Sequence, residues 1–308
     1  MLTPGNRTDV LVCVPCFNSQ DSIEQVLEPL LEHSDADILL VDDSSDVPLI
    51  DLIEDRFSGY MHRITVLRPS EKVYSGGAKN IGIRRGLAEG YRITIMLDSD
   101  IITPNRFVQQ LRQFILENSQ SVIVAPSILP HGTWCRYADT LINFSGYLPE
   151  RGHSVSHKCC LAGYAFALNM RMFRQNPCFH LVRYGGEDVL FFRQIKRNFA
   201  LKYFPMLNHL PVLHKPPRGT LTQVLMAQKR YGRAFFTHND GRREYLFNKL
   251  PALHFLTPRC CLMVLRLLHR QRYRDLLYLP LCWCLDFARA AQIVRLKLAG
   301  YCDQGEFA

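Results

Sequence analysis

The amino-acid sequence predicts an α/β fold: a doubly wound, mostly parallel, Rossmann-like sheet with a helical extension at the carboxyl end. Three observations predict it. Short apolar runs alternate with helix-like stretches, acidic residues follow the second and fourth runs, and residues 259–300 are both basic and apolar. Strand–helix alternation is typical of parallel sheets that carry helices on both faces. With 308 residues, 47% of them hydrophobic, the chain is long enough for one large domain with a substantial core.

The alternation is clearest in the first 125 residues, where apolar side chains recur at helical spacing between the strand-like runs. Farther along, residues 126–160 show no regular pattern and are predicted to be irregular. We divide the chain into a domain over residues 1–236 and an extension over 237–308. The predicted strands are 10–14, 38–41, 64–67, 93–97, 122–125 and 165–168, and the predicted helices are 21–33, 48–57, 77–90, 105–118 and 220–236, with one more opening at Glu187.

Two pairs of acids are the candidate chemical groups. Asp98 and Asp100 follow a predicted strand with one residue between them. Such a pair at the carboxyl edge of a sheet can hold a divalent cation that bridges to a diphosphate. Glu187 and Asp188 open a helix-like stretch, where one of them can act as a general base. Each pair also has an ordinary interpretation, because acids in the first helical turn are favoured by the helix dipole.

Other motifs are weaker when each is considered alone. Asp43, in an acid pair after the second strand, fits either a ligand contact or a capped turn. Lys79 follows two glycines at a predicted loop-to-helix turn and could face an anion. His214 alone is more often an ordinary histidine. Cys13 and Cys16 have redox spacing, but we interpret them as structural because no second pair completes a zinc site.

Several classes of protein are disfavoured. The chain contains no Gly-x-Gly-x-x-Gly fingerprint and no P-loop motif. The amino terminus shows no secretory apolar region, and the eleven cysteines lack the rhythm of a disulfide scaffold. We therefore expect reduced cysteines and a cytoplasmic protein. No nucleic-acid partner is expected.

The extension is basic. Residues 259–300 contain eight Lys or Arg and two Asp, which gives 8 − 2 = +6. The longest uncharged run there has ten residues and is predicted to be too short to span a bilayer. The pattern fits a peripheral segment on the anionic inner face of the cell membrane, or a helix pair packed on the domain.

The order of these motifs resembles the family 2 glycosyltransferases of the GT-A fold, over about residues 10–236. The resemblance implies an inverting transfer of one sugar from a nucleotide sugar, most often a UDP-sugar, in polysaccharide or glycoconjugate biosynthesis. Implied acceptors are saccharide, lipid-linked or peptide groups. The motifs are Val-Pro-Cys-Phe-Asn at 14–18, Val-Asp-Asp-Ser-Ser at 41–45, Ala-Lys-Asn-Ile-Gly at 78–82, Leu-Asp-Ser-Asp at 97–100, Leu-Ala-Gly at 161–163, Gly-Gly-Glu-Asp at 185–188 and Val-Leu-His at 212–214.

The resemblance also implies residue roles. Asp188 would be the catalytic base, and Glu187 would orient the acceptor. Asp98, Asp100 and His214 would surround Mn²⁺ or Mg²⁺. The nucleotide sugar would meet Pro15, Phe17, Asn18, Asp43, Lys79 and Asp98.

Two other functions remain open. A nucleotidyltransferase can share this sheet, although such enzymes usually carry a glycine-rich loop where this chain has residues 15–18. A membrane adaptor would use only the basic extension, but the acids are intact at every expected position. The Gln-x-x-Arg-Trp signature of processive synthases is missing, since residues 228–232 read Gln-Lys-Arg-Tyr-Gly.

Overall fold

The computed structural model describes residues 8–173, 179, 186–237 and 258–299, and its first half is the expected parallel sheet. The order β3–β2–β1–β4 joins four strands that all run the same way. The strands are β1 (Val10–Cys16), β2 (Asp37–Asp42), β3 (Ile64–Leu67) and β4 (Ile93–Leu97), and the helices between them are α1 (Ile23–His33), α2 (Leu49–Phe57) and α3 (Tyr74–Ala88).

The second half of the sheet is mixed. After β5 (Ile101–Ile102) and α4 (Phe107–Glu117), the chain forms β6 (Ile123–Pro130), and β8 (Ala165–Asn169) then inserts antiparallel between β4 and β6. The long strand β9 (Phe204–His214) pairs in parallel with β6 and antiparallel with β5. It also pairs with β7 (Val155–Lys158). The mostly parallel α/β prediction is confirmed, and its antiparallel part begins at β8.

Two local predictions were wrong. Residues 126–160 are largely regular, because β6 extends to Pro130 and helix α5 (Trp134–Phe144) and β7 follow. The buried side chains of α5 include Ala138, Leu141 and Ile142, whose spacing of three and four residues is helical. Helix α3 begins at Tyr74, three residues before the predicted start at residue 77, and the glycines before Lys79 lie in its first turn.

The sheet separates two buried clusters. Val10, Val12 and Val14 face α1, α2 and α4, whereas Leu11 and Cys13 face α3 and α6 (Glu187–Asn198). This alternation follows from the two-residue period of a strand that is buried on both faces. Cys13 and Cys16 are buried and free, and burial raises the pKa of the Cys13 thiol to about 12. Both observations support a structural role.

The carboxyl-terminal helices pack on α5. They are α7 (Leu221–Thr237), α8 (Pro258–His269) and α9 (Leu279–Leu298), and they share a third apolar cluster with α5. Polar side chains reinforce this packing. Buried Arg289 of α9 donates to Asn143 Oδ1 at 2.5 Å and to the side chain of Gln228, and Asp286 accepts a hydrogen bond from the backbone N–H of Cys260 at 3.1 Å.

One described helical stretch, Tyr273–Leu298, is long and apolar enough to cross a membrane by length and composition, with a mean hydropathy of 1.2. The prediction that this region is too short to span a bilayer was wrong, because it counted only the ten-residue uncharged run. Helix α9 nevertheless buries two charged side chains, Asp286 and Arg289, against the protein.

Candidate active site

Asp100 and His214 are brought together by strand pairing. The chain turns after β4, and the N–H of Ile101 donates to the carbonyl of Asp98 at 3.2 Å. Strand β5 then pairs Ile101 with His214. As a result, His214 Nε2 lies 3.4 Å from Asp100 Oδ2, and the backbone N–H of Lys215 donates to the carbonyl of Asp100 at 2.9 Å. Residues more than a hundred positions apart thus form one polar pair.

Thr140 sets the proton position on His214. Thr140 Oγ1 lies 2.8 Å from His214 Nδ1 and 3.0 Å from the carbonyl oxygen of Arg136. A carbonyl can only accept, so the Thr140 hydroxyl donates to it and accepts from Nδ1–H. In neutral His214 the lone pair on Nε2 then points toward Asp100. The role of Thr140 could not be predicted, because its segment was expected to be irregular.

Asp100 and His214 are the predicted cation ligands that the fold brings together. An imidazole nitrogen lone pair and a carboxylate oxygen repel each other at close range unless a proton or a cation lies between them. Within the described ranges, no group of three or more His, Cys, Asp and Glu side chains surrounds a common point. Asp100 and His214 are therefore two side chains and not a complete protein cation site, and their metal role stays a prediction.

Asp98 has a different partner. Lys79 Nζ lies 3.1 Å from Asp98 Oδ1 and donates to the carbonyl of Gly163 at 3.1 Å. Burial raises the pKa of Asp98, Lys79 lowers it and Asp100 raises it again, with a net rise to about 7. Burial works against the charge on Lys79, but Asp98, Glu187 and Asp188 together raise the pKa of this lysine. Lys79 is thus a buried cation among three acids.

Asp188 is held in place by backbone donors. Helix α6 begins at Glu187 after Gly186, whose φ is +97°. Asp188 Oδ2 accepts from the N–H of Gly163 at 2.9 Å, and Oδ1 accepts from the N–H of Val189 at 2.8 Å. Burial and the charge of Glu187 raise the pKa of Asp188, against the opposing effects of Lys79 and the backbone donors. A carboxylate with a raised pKa is a stronger base near neutral pH.

Gly163 lies where these groups converge. A Cβ atom at this position would lie 3.0 Å from Asp188 Cβ and 3.1 Å from Lys79 Nζ. Any other residue would therefore push the lysine or the aspartate away. The close approach of Lys79 and Asp188 therefore explains why a glycine stands at position 163, and this contact is visible only in the folded chain.

A second polar region lies at the carboxyl ends of β1 and β2. Asp43 Oδ1 accepts a hydrogen bond from the N–H of Val73 at 2.6 Å. The carboxylate of Asp42 instead accepts hydrogen bonds from the backbone of Ser45 and Leu49 and from the side chain of Arg68. The structure thereby separates the two acids of this pair. Asp42 stabilises the loop, and Asp43 stays at the start of α3.

The predicted donor residues of β1 follow the same edge. Pro15 is half-buried and pairs with Val41. Phe17 is exposed, and Lys72 Nζ lies 3.5 Å from its ring centroid. The side chain of Asn18 donates to the Asp46 carboxylate and accepts from its backbone N–H, both at 2.8 Å. These contacts order the loops, and the donor roles of Pro15, Phe17 and Asn18 stay predictions.

A serine pair connects the two polar regions. Ser19 Oγ donates to Ser99 Oγ at 2.9 Å, and Ser99 lies between Asp98 and Asp100. The fold thus brings predicted residues into two direct pairs, Lys79 with Asp98 and Asp100 with His214, while Lys79 and Asp188 both bond to Gly163. Half-buried Tyr147 was not singled out in the sequence; burial first, and then the charges of Cys160 and Asp188, raise its pKa.

Comparison with known proteins identifies the family of the chain. The family model described as "Glycosyl transferase family 2" matches residues 11–175. No curated protein sequence gives a match.

Solved structures are similar in fold at low sequence identity. GalNAc-T7 with UDP, GalNAc and Mn²⁺ is 15% identical with a TM-score of 0.55, and the match covers 80% of this chain and 51% of that one. The mannosyltransferase PcManGT from Pyrobaculum calidifontis, with GDP-Man and Mn²⁺, is 14% identical with a TM-score of 0.52, covering 97% and 77%. S. aureus TarS with UDP-GlcNAc is 13% identical with a TM-score of 0.50, covering 94% and 92%. The chain spans about half the length of the GalNAc-T7 structure.

Proposed function

Because the chain belongs to glycosyl transferase family 2, we propose that it transfers one sugar from a nucleotide sugar to an acceptor hydroxyl, with inversion at the anomeric carbon. One observation carries the proposal. The carboxylate of Asp188 is held at Gly163 beside the Lys79–Asp98 pair, and the Asp100–His214 pair follows on the same loop. The closeness of a candidate base to the residues of a candidate cation site supports the proposal.

The acceptor hydroxyl must lose a proton during transfer, and we assign Asp188 as the base that takes it. The acceptor oxygen attacks the anomeric carbon as its hydroxyl proton moves to Asp188, and the bond from that carbon to the diphosphate oxygen breaks. Both Asp188 oxygens accept backbone N–H bonds, which fix the orientation of the carboxylate toward the acceptor. Glu187 is buried beside it and is proposed to orient the acceptor.

Asp100, His214 and, when Lys79 releases it, Asp98 would hold Mn²⁺ or Mg²⁺. The bound cation would neutralise the charge that develops on the leaving diphosphate. An imidazole ligand favours Mn²⁺ over the harder Mg²⁺. The Mn²⁺ complexes of GalNAc-T7 and PcManGT support this assignment.

The proposed donor is a UDP-sugar, with Asp43 and Lys79 near the nucleotide. Structures of GalNAc-T7 with UDP and of TarS with UDP-GlcNAc support UDP, whereas PcManGT binds GDP-Man. Titration calorimetry with Mn²⁺ should give tighter binding for UDP than for GDP or ADP, and Asp43→Asn should weaken it. Tighter binding of GDP would overturn the choice of base.

The reaction is tested by its products. A panel of nucleotide sugars incubated with saccharide, lipid-linked and peptide acceptors should release nucleoside diphosphate, and nuclear magnetic resonance should show the opposite anomeric configuration in the product. Release of pyrophosphate would identify a nucleotidyltransferase instead. Retention of configuration would exclude Asp188 as the base of a direct displacement.

A further inference from the structure

Three aromatic side chains form a continuous cluster next to the candidate site. The centroid of the Phe144 ring lies 5.1 Å from that of His214 and 5.6 Å from that of Tyr164. The Tyr147 ring follows, with its centroid 6.2 Å from that of Tyr164. All three contacts have the edge-to-face geometry that aromatic rings prefer. The cluster therefore begins at the proposed cation ligand His214 and ends at Tyr147.

The Tyr147 end of this cluster lies near the proposed base. Tyr164 comes directly after Gly163, whose backbone N–H donates to Asp188 Oδ2 at 2.9 Å. Tyr147 packs on Tyr164, and burial, Cys160 and the charge of Asp188 all raise the pKa of Tyr147. The phenol consequently keeps its proton at neutral pH and can donate a hydrogen bond. Tyr147 thus offers a donor near the carboxylate that would take the acceptor proton.

The hydroxyl groups of the two tyrosines have different environments. Tyr164 is buried, and its hydroxyl donates to the carbonyl of Pro126 at 2.6 Å. Tyr147 is half-buried, and its hydroxyl makes no hydrogen bond to the part of the chain that the structure describes. Because this oxygen is not among the buried polar atoms that lack a partner there, it is in contact with solvent. Tyr164 therefore serves the core, whereas the hydroxyl of Tyr147 is accessible to a bound molecule.

The backbone that carries Tyr147 is held by the carboxyl-terminal extension. Tyr147 is the last residue of a short 3₁₀ helix. From α8, Arg270 donates to the carbonyls of Ser145 and Gly146 at 3.2 and 3.1 Å. Arg266, also on α8, donates to Ser145 Oγ at 3.3 Å. Because a guanidinium group presents its donors in a rigid planar fork, these bonds fix the orientation of the turn from which Tyr147 extends.

From these contacts we infer that Tyr147 binds the acceptor and that the acceptor is a saccharide. The inference rests on the proposed function, in which Asp188 takes the proton of the reacting hydroxyl. Tyr147 donates a hydrogen bond to a second hydroxyl of the same acceptor, and its ring packs against the apolar face of the sugar. A sugar ring carries adjacent hydroxyls, whereas a serine or threonine side chain of a peptide carries one. Two neighbouring polar groups therefore favour a saccharide over a peptide.

Acceptor kinetics test this inference. The probes are methyl glycosides of glucose, galactose and N-acetylglucosamine, with Mn²⁺ and the nucleotide sugar that the wild type uses. Tyr147→Phe should raise the KM of the best glycoside about 3–10-fold, as expected for one neutral hydrogen bond, with kcat nearly unchanged. Hydrolysis of the nucleotide sugar by water and the Kd of UDP should keep their wild-type values, because neither depends on the acceptor contact. An unchanged acceptor KM would overturn the inference.

Two control variants separate binding from folding. Tyr60→Phe removes the hydroxyl of an exposed tyrosine between α2 and β3 and should change neither kinetics nor stability. Tyr164→Phe leaves the buried carbonyl of Pro126 without its donor, so it should lower the midpoint of urea denaturation and leave the acceptor KM unchanged. Tyr147→Phe should show the opposite pattern. Equal increases in KM for Tyr147→Phe and Tyr164→Phe would mean that both act through packing, which would overturn a direct contact.

Acceptors that lack one hydroxyl test the contact itself. Among monodeoxy forms of the best glycoside that retain the reacting hydroxyl, one should have the same KM for the wild type and for Tyr147→Phe, because both changes remove the same hydrogen bond. Additive losses with every monodeoxy sugar would overturn the contact. Octyl glycosides, compared with the methyl forms, distinguish the sugar of a glycolipid from a free saccharide, and the effect of Tyr147→Phe should be the same with either.

Binding without turnover separates this inference from the proposed reaction. With UDP present, saturation-transfer nuclear magnetic resonance should detect the methyl glycoside on the wild type and weaker binding to Tyr147→Phe. If this difference is found but no nucleoside diphosphate is released from any nucleotide sugar, the proposed reaction fails and the saccharide contact of Tyr147 stands. If the wild type binds none of the glycosides, or prefers a serine-containing peptide, the saccharide assignment fails.

Discussion

Asp98 and Asp100 lie two residues apart on one loop, and the fold gives the two carboxyl groups opposite environments. Asp98 is paired with buried Lys79 near other acids, and its pKa rises to about 7. At Asp100, burial alone would raise the pKa, but His214 and Arg218 outweigh it and hold the pKa below its ordinary value. One carboxyl group thus readily holds a proton, whereas the other stays an anion.

This difference suits the two carboxyl groups of the Asp-Ser-Asp motif at 98–100 to different tasks. The Asp100 side stays anionic, and in our proposal a cation would displace the proton that His214 shares with Asp100. The Asp98 side, with Lys79 and Asp188, is a place where protons and charge can shift during a reaction. Pairs of titratable groups whose pKa values are driven apart are typical of catalytic sites.

Removing the anion on the Asp100 side should have the largest effect. Asp100→Ala takes away the carboxylate next to His214, so we expect transfer to fall below detection with either Mn²⁺ or Mg²⁺. Product release and Mn²⁺-dependent UDP binding are the measurements. His214→Ala should retain some activity and reduce the advantage of Mn²⁺ over Mg²⁺. Full wild-type activity in excess EDTA would refute the metal assignment on this side.

The Asp98 side is tested through its base. Asp188→Asn is nearly isosteric but cannot take the acceptor proton, so transfer should fall by about 10²–10⁴-fold. UDP binding, measured by calorimetry, should stay unchanged. If the variant transfers sugar at the wild-type rate, the base lies elsewhere, and Glu187→Gln is the next variant to measure.

A smaller effect is expected from the residue that orients His214. Thr140→Val keeps the shape and removes the hydroxyl that accepts from Nδ1, so Mn²⁺ affinity should fall by about 10–100-fold. Thr140→Ser retains the hydroxyl and should restore most of that affinity. Metal titrations in the presence of UDP measure both variants. Wild-type affinity in the valine variant, with a loss in the serine variant, would mean that Thr140 acts through packing alone.

The smallest predicted effect concerns the glycine between Lys79 and Asp188. Gly163→Ala places a methyl group 3.0–3.1 Å from both side chains, and such overpacking should cost about 1–3 kcal/mol in the free energy of unfolding. Urea denaturation measures it. Gly59→Ala is the control, because a Cβ there meets nothing within 4 Å. Equal midpoints for the two variants would show that Lys79 and Asp188 move apart without cost.

Much of the first half of the fold was predictable from local patterns. Strands β3 and β4 begin and end where their apolar runs do, and β1 and β2 extend past theirs by one or two residues at an end. Helix α5 was missed because the Gly, His, Pro and Ser residues around it hid the helical spacing of Ala138, Leu141 and Ile142. The antiparallel insertion of β8 could not be predicted, because strand order depends on pairing partners distant in sequence.

By itself, the sequence determined which residue types are present and where two acid pairs stand: Asp98 and Asp100 after β4, and Glu187 and Asp188 at the start of α6. Those features follow from local periodicity and from the few motifs that interrupt it. Strand β9, which ends at His214, was not predicted. The tertiary structure alone decided which of these residues meet. Pairing of β5 with β9 puts His214 beside Asp100, and the close approach at Gly163 joins Lys79 to Asp188. Contacts between distant segments depend on packing and strand register, and no local stretch of sequence encodes either.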